Sequence, residues 1–174
     1  DVPIGFTFNF YGNDYDYCLI SDNGYITFDT AYNNVSAAFS ARYSQWIIGA
    51  AIPNPGQNAV NMEVPQNAIM APWHDVDLSS GGDLYYGTTG ISPNRKFIAT
   101  WCSAAMFSCT DSLESFQIVL HETSNKIETF IESKRSCAWN SGAAIHGLVD
   151  ATSTNFDIVF DPVLLQDRNF PLNW

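Results

Sequence analysis

Alternation of apolar and polar positions runs through most of the chain, and it predicts strands. Phe6, Phe8 and Phe10 are separated by Thr7 and Asn9, the period-two pattern of a half-buried strand. Tyr11-Gly-Asn-Asp14 reads as a turn, Tyr17 to Ser21 as a second strand, and Tyr25 to Asp29 as its partner across Asp22-Asn-Gly24. Asn-Gly suits a two-residue hairpin turn because both residues tolerate positive φ.

The pattern resumes at Ala68 to Pro72, an apolar run, and continues through Gly82 to Gly87 after the Ser79-Ser-Gly-Gly82 turn. Lys96 to Cys102 places Phe97, Ala99 and Trp101 on one face. Leu113 to Glu122 alternates Phe116, Ile118 and Leu120 with Gln117, Val119 and His121, turns at Thr123-Ser-Asn-Lys126 and returns through Ile127, Thr129 and Ile131. That is a hairpin signal. Ala143 to Val149 and Phe156 to Phe160 complete the set.

Residues 30–66 break this rhythm. Val35 to Trp46 carries helix formers, Ile47 to Ile52 is apolar, and Pro53-Asn-Pro-Gly56 interrupts whatever precedes it. We read this stretch as one long insertion with room for a short helix, of the kind that often houses binding. Roughly ten short strands indicate an all-β fold, either a β-sandwich or a distorted barrel. With no internal repeat or linker, residues 1–174 are expected to form a single domain, a fragment of a larger protein.

Composition narrows the function. Hydrophobic residues make up 46% and charged ones only 14%, which excludes a disordered chain. The net charge is -11 and the cations cluster only at Arg95-Lys96 and Lys134-Arg135. Nucleic acid and anionic membranes are therefore poor partners, whereas a calcium ion fits the charge. No apolar run approaches the ~18–20 residues that cross a bilayer, so direct membrane insertion is not expected. An uncharged polar surface and an even number of cysteines, without a CxxC pair, suggest an extracellular location.

Four cysteines are present: Cys18, Cys102, Cys109 and Cys137. Cys109 and Cys137 fall at the ends of the predicted hairpin strands, so we expect them to pair. Cys18 and Cys102 then remain, as a second pair or as buried thiols.

The densest polar segment is Ala71-Pro-Trp-His-Asp-Val-Asp-Leu-Ser-Ser-Gly-Gly-Asp83. Asp75 and Asp77 share a face if the chain is extended, and a Gly-Gly turn brings Asp83 back towards them. Three convergent carboxylates suit calcium. The plainer reading is an acidic turn whose Asp side chains bond neighbouring amides. His74, His121 and His146 show no zinc-site spacing and read as structural or surface histidines. No G-x-S-x-G elbow occurs, and Glu114, Glu122, Glu128 and Glu132 fall on a hairpin face read as solvated. No catalytic residue is therefore proposed. Among aromatics in or near loops, Tyr43, Trp46 and Trp139 are the candidate ligand-stacking residues, with Tyr32 and Tyr85 nearby; filling the core is the simpler role. Asn34-Val-Ser36 fits the N-glycosylation pattern.

Taken together, the motifs resemble a known family. Ile4-Gly-Phe-Thr-Phe-Asn-Phe-Tyr-Gly12, Ser21-Asp-Asn-Gly-Tyr-Ile-Thr-Phe28 and Asn67-Ala-Ile-Met-Ala-Pro-Trp-His-Asp-Val-Asp77 followed by Gly82-Asp-Leu-Tyr-Tyr-Gly87 are similar to segments of nidogen-like extracellular domains. Phe97-Ile-Ala-Thr-Trp101, Met106-Phe-Ser-Cys109, Phe116-Gln-Ile-Val-Leu-His-Glu122 and Ile127-Glu-Thr-Phe-Ile131 look like the version in large Bacteroidetes surface proteins, which often carry gliding-motility-associated or secretion-sorting C-terminal domains. The resemblance stops at residues 30–66. It implies a non-enzymatic adhesion module on a bacterial cell surface, binding an extracellular protein or glycan beside neighbouring domains of its own chain. A lectin-like domain is the alternative, and a secreted hydrolase the third reading.

Overall fold

The computed structural model describes residues 1–30, 52 and 64–158. Within them the chain forms ten strands: β1 Val2–Phe10, β2 Asn13–Ser21, β3 Tyr25–Thr27, β4 Ala68–Trp73, β5 Asp83–Thr89, β6 Lys96–Met106, β7 Cys109–His121, β8 Ile127–Ser133, β9 Ile145–Val149 and β10 Phe156–Ile158. Each predicted strand has its counterpart. The strands form two antiparallel sheets, one of six in the order β1-β2-β3-β4-β9-β10 and one of four in the order β5-β6-β7-β8. Neither closes into a barrel, so the fold is sandwich-like.

Alternation puts one face of each sheet into a common core. Ile4, Phe6, Phe8 and Phe10 of β1 meet Phe97, Ala99 and Trp101 of β6 and Phe116, Ile118 and Leu120 of β7. Each large side chain so buried contributes about 1.5–3 kcal/mol relative to exposure. The outer face of the six-stranded sheet is covered too: Tyr25, Met70, Trp73 and Val149 pack in a second cluster with Ile52 and Val64. That is why β4 is an unbroken apolar run, buried at every position because both of its faces are covered.

Side chains from β5 and from the residue just before β6 also cap the free edge of β1. Thr88 Oγ1 donates to the Ile4 carbonyl at 2.5 Å, and the Arg95 guanidinium donates to the Gly5 carbonyl. Unpaired edge groups are thereby kept from other chains.

Two expectations change, and a third falls outside the described residues. The turn between β2 and β3 has three residues, since Ser21 pairs with Tyr25, and of Asn23 and Gly24 only the glycine has a positive φ, +83°. Cys109 and Cys137 form a disulfide, 28 residues apart, but Cys18 and Cys102 do not pair. Trp101 faces the core from β6, so Cys102 faces out, while Cys18 is buried; burial pushes the Cys18 thiol up to about 12, which makes it inert. The helix expected over residues 35–46, with Asn34, Tyr43 and Trp46, lies outside the described residues, as do residues 159–174.

Candidate functional site

The Asp22-Asn-Gly24 turn is the seat on which the segment after β4 rests. Gly24 offers its carbonyl to Ala71 N at 2.9 Å, and Asn23 offers its own to His74 N at 3.2 Å. The buried Asn23 side chain accepts from Val76 N at 2.6 Å. Trp101 closes the other side, its Nε1 donating to the Asp22 carbonyl at 2.8 Å. A Cβ on Gly24 would collide with the Pro72 carbonyl oxygen. Two of the segments that carry the nidogen-like resemblance are thus each other's structural partners.

His74, so held, points inward to an ionic cluster with almost no solvent. Its Nε2 is 2.9 Å from Glu114 Oε2, and Lys134 Nζ is 3.6 Å from Glu114 Oε1. Glu114 is 0% exposed. His74 Nδ1 meets the Pro72 carbonyl at 2.9 Å, an acceptor, so Nδ1 carries a proton there. The Nε2 contact is close but not aligned as a hydrogen bond, and neither Glu114 oxygen receives one. Lys134 Nζ donates to the carbonyls of Arg135 at 3.3 Å and Gly142 at 3.4 Å. Burial lowers the Lys134 ammonium below its ordinary value, against the pull of Glu114. The solvated position expected for Glu114 is therefore overturned: it shares the inward parity of Phe116, Ile118 and Leu120.

Above this cluster lies the rim of the sandwich. Trp139, in the short turn Trp139–Gly142, donates Nε1 to Asp75 Oδ2 at 2.8 Å. Its ring meets Phe107 edge-on, with centroids 5.1 Å apart. Phe107 N in turn donates to the Asp75 carbonyl at 3.0 Å. The Cys109–Cys137 disulfide ties the same two loops together. Trp139 is nevertheless 42% and Phe107 41% exposed. Burial raises the Asp75 carboxyl above the ordinary range, while the Trp139 bond opposes that rise.

The three carboxylates proposed for calcium do not converge. Asp77 accepts from the hydroxyls of Ser79 at 2.5 Å and Ser80 at 2.6 Å and from Ser79 N at 3.1 Å; these bonds hold its carboxyl below the usual range. Asp75 is turned to Trp139, and Asp83 accepts from the Tyr85 hydroxyl at 3.2 Å on β5. Among the described residues no group of three or more His, Cys, Asp or Glu side chains is placed to share a metal. Calcium therefore does not fit these side chains as they stand. The acidic turn is what Asp77 forms.

Of the remaining candidates, His121, Glu122, Glu128 and His146 are partnered within the sandwich, while Glu132 is exposed on β8. His121 Nε2 is 2.6 Å from Glu128 Oε2, and Glu122 grips Arg95 at 2.5 Å. His146 is buried with its Nε2 2.8 Å from Thr129 Oγ1, beside a cleft of about 180 Å³ lined by Met70, Ile127, Leu148 and Asp157.

In comparison with known proteins, a family model described as NIDO related matches residues 1–162. No curated protein and no solved structure matches the chain.

Proposed function

The chain belongs to the NIDO-related family, and from that premise we propose that it is a non-enzymatic adhesion module of a bacterial cell-surface protein, meeting its partner at the Phe107–Trp139 rim. Domains of this family are extracellular, and no helix among the described residues is long and apolar enough to cross a membrane. The observation that supports the reading is an exposed aromatic pair on a rigid mount. Trp139 and Phe107 present apolar area to solvent while a disulfide, an Asp75 bond and an edge-on ring contact hold them in place. Pre-ordered aromatic side chains of this kind lose little entropy on binding and are typical anchors of interfaces. The bacterial-surface setting rests on the sequence resemblance.

The second reading is a glycan ligand stacked on the Trp139 ring, favoured by that ring's exposure. A secreted hydrolase draws no support from Glu114, Glu122 or Glu128, which are buried or gripped by cations.

Beads coated with the domain, applied to bacterial cells, test the proposal. Trp139→Ala is expected to reduce bead adhesion at least ~10-fold, the effect of losing one interfacial anchor. Protease treatment of the cells should abolish binding if the partner is a protein, and periodate should do so if it is a glycan. Adhesion by Trp139→Ala equal to the parent would sink the assignment of the rim.

A further inference from the structure

We propose that Glu114 and Lys134 become joined by an intramolecular amide bond, formed by the folded domain itself with His74 as proton relay. The inference is independent of what the rim binds.

Three observations carry it. First, an amine and a carboxylate are sealed together: side-chain exposure is 3% for Lys134 and 0% for Glu114, and Nζ is 3.6 Å from Oε1. An ion pair this deep loses most of its hydration, and the cost often exceeds the Coulomb attraction. Burial lowers the Lys134 ammonium below its ordinary value, and the neutral amine is the form that attacks a carboxyl carbon.

Second, the amine is oriented. Nζ directs two donors to the carbonyls of Arg135 and Gly142. In the neutral amine those bonds use both protons and leave the lone pair to the side where Glu114 Oε1, at 3.6 Å, and the weakly polar Met106 Sδ, at 3.9 Å, are the neighbours. Such fixed approach is the condition under which an intramolecular reaction gains over its bimolecular counterpart.

Third, the carboxyl oxygens are unsatisfied. Neither makes a hydrogen bond although both are buried, a state that costs free energy unless something relieves it. His74 stands 2.9 Å from Oε2, and its Nδ1 proton is already committed to the Pro72 carbonyl. Nε2 is thus free to take up and return a proton.

The step balances without an oxidant or cofactor. Starting from the neutral pair, Nζ bonds to Cδ and the Cδ–Oε2 bond breaks. Oε2 leaves as water, carrying the carboxyl proton and one proton from Nζ passed through His74. Oε1 remains as the amide oxygen, and the amide N–H keeps one of the two backbone carbonyls. The buried charges vanish.

The intact mass of the full chain, reduced and unfolded, reads this directly. The parent is expected to be one water molecule lighter than its sequence, and a peptide map should contain a branched peptide joining the segments around 114 and 134. Lys134→Met and Glu114→Ala are each expected to restore the sequence mass. His74→Gln should lower the linked fraction severalfold, and an unchanged fraction would overturn the relay. A parent chain at its full sequence mass, or a water loss mapped to another site, overturns the bond; neither result depends on the variants folding.

Discussion

His146 should make the sandwich sensitive to mild acid. It lies on β9 in the gap between the two sheets, where Thr129 of β8 meets its Nε2. Desolvation lowers its protonation from about 6.5 to about 4, so the folded protein keeps a neutral ring where the unfolded chain binds a proton. Between those two values the unfolded state holds more protons, and stability therefore falls as the pH falls. From the two values, the loss at pH 4 relative to pH 7 is about 3 kcal/mol, a sizeable part of the 5–15 kcal/mol typical of a whole domain. Other groups act in the same range of pH, so the difference between parent and His146→Gln is the quantity to measure, by urea unfolding at steps from pH 7 to pH 4. The glutamine keeps a partner for Thr129 and cannot titrate. The parent's advantage should shrink by about 3 kcal/mol over that span. A difference that stays flat with pH would refute the desolvated histidine.

The other expectations are simpler to state. Gly24→Ala should cost about 2–5 kcal/mol, since it adds left-handed strain at φ +83° to a collision with the Pro72 carbonyl; a shift in urea midpoint worth under about 1 kcal/mol would mean that the turn can move away. Replacing Cys109 and Cys137 together by Ser should cost about 3–4 kcal/mol on the loop-entropy account, read as the change in unfolding free energy, and a neutral result would show that the loop is ordered without it. Chelation with EDTA should leave the melting temperature unchanged, because Asp77 is filled by Ser79 and Ser80; a drop of several degrees would reinstate a cation at Asp75, Asp77 and Asp83. Below about pH 4 the Glu122 carboxylate, held down to about 2 by Arg95, should add a further loss of stability as the pH falls towards that value, and Arg95→Gln should remove it.

What the chain revealed in advance follows from which forces are local. Strand alternation is set by the geometry of one strand, so β1, β7 and β8 could be read residue by residue, and the disulfide could be inferred from where the hairpin ends. The turn at Asp22-Asn-Gly24 was legible as a turn, but its three-residue form depends on the Ser21–Tyr25 register, which tertiary packing decides. Its use as a seat for His74 and Val76 joins residues some fifty positions apart, and no local pattern encodes such a contact.

Glu114 shows where a stricter reading would have succeeded. Hydropathy places Leu113 inside and Glu114 outside, and the structure reverses both: Leu113 is exposed and Glu114 is not. Parity had the answer, because Glu114 lies two and four residues before Phe116 and Ile118. A charged side chain in phase with a core face is either a strand end emerging into water or a buried group with a partner. Choosing between these requires the partner, and Lys134 reaches Glu114 only after β8 has run back along β7. The acidic loop failed in the opposite sense. Asp75, Asp77 and Asp83 are close in sequence, but each carboxylate found a nearer donor in Trp139, Ser79 and Ser80, or Tyr85. The carboxylates that suggested a cation are held in separate local contacts, while the buried carboxylate in the same end of the sandwich, at Glu114, is the one the fold leaves without a hydrogen bond.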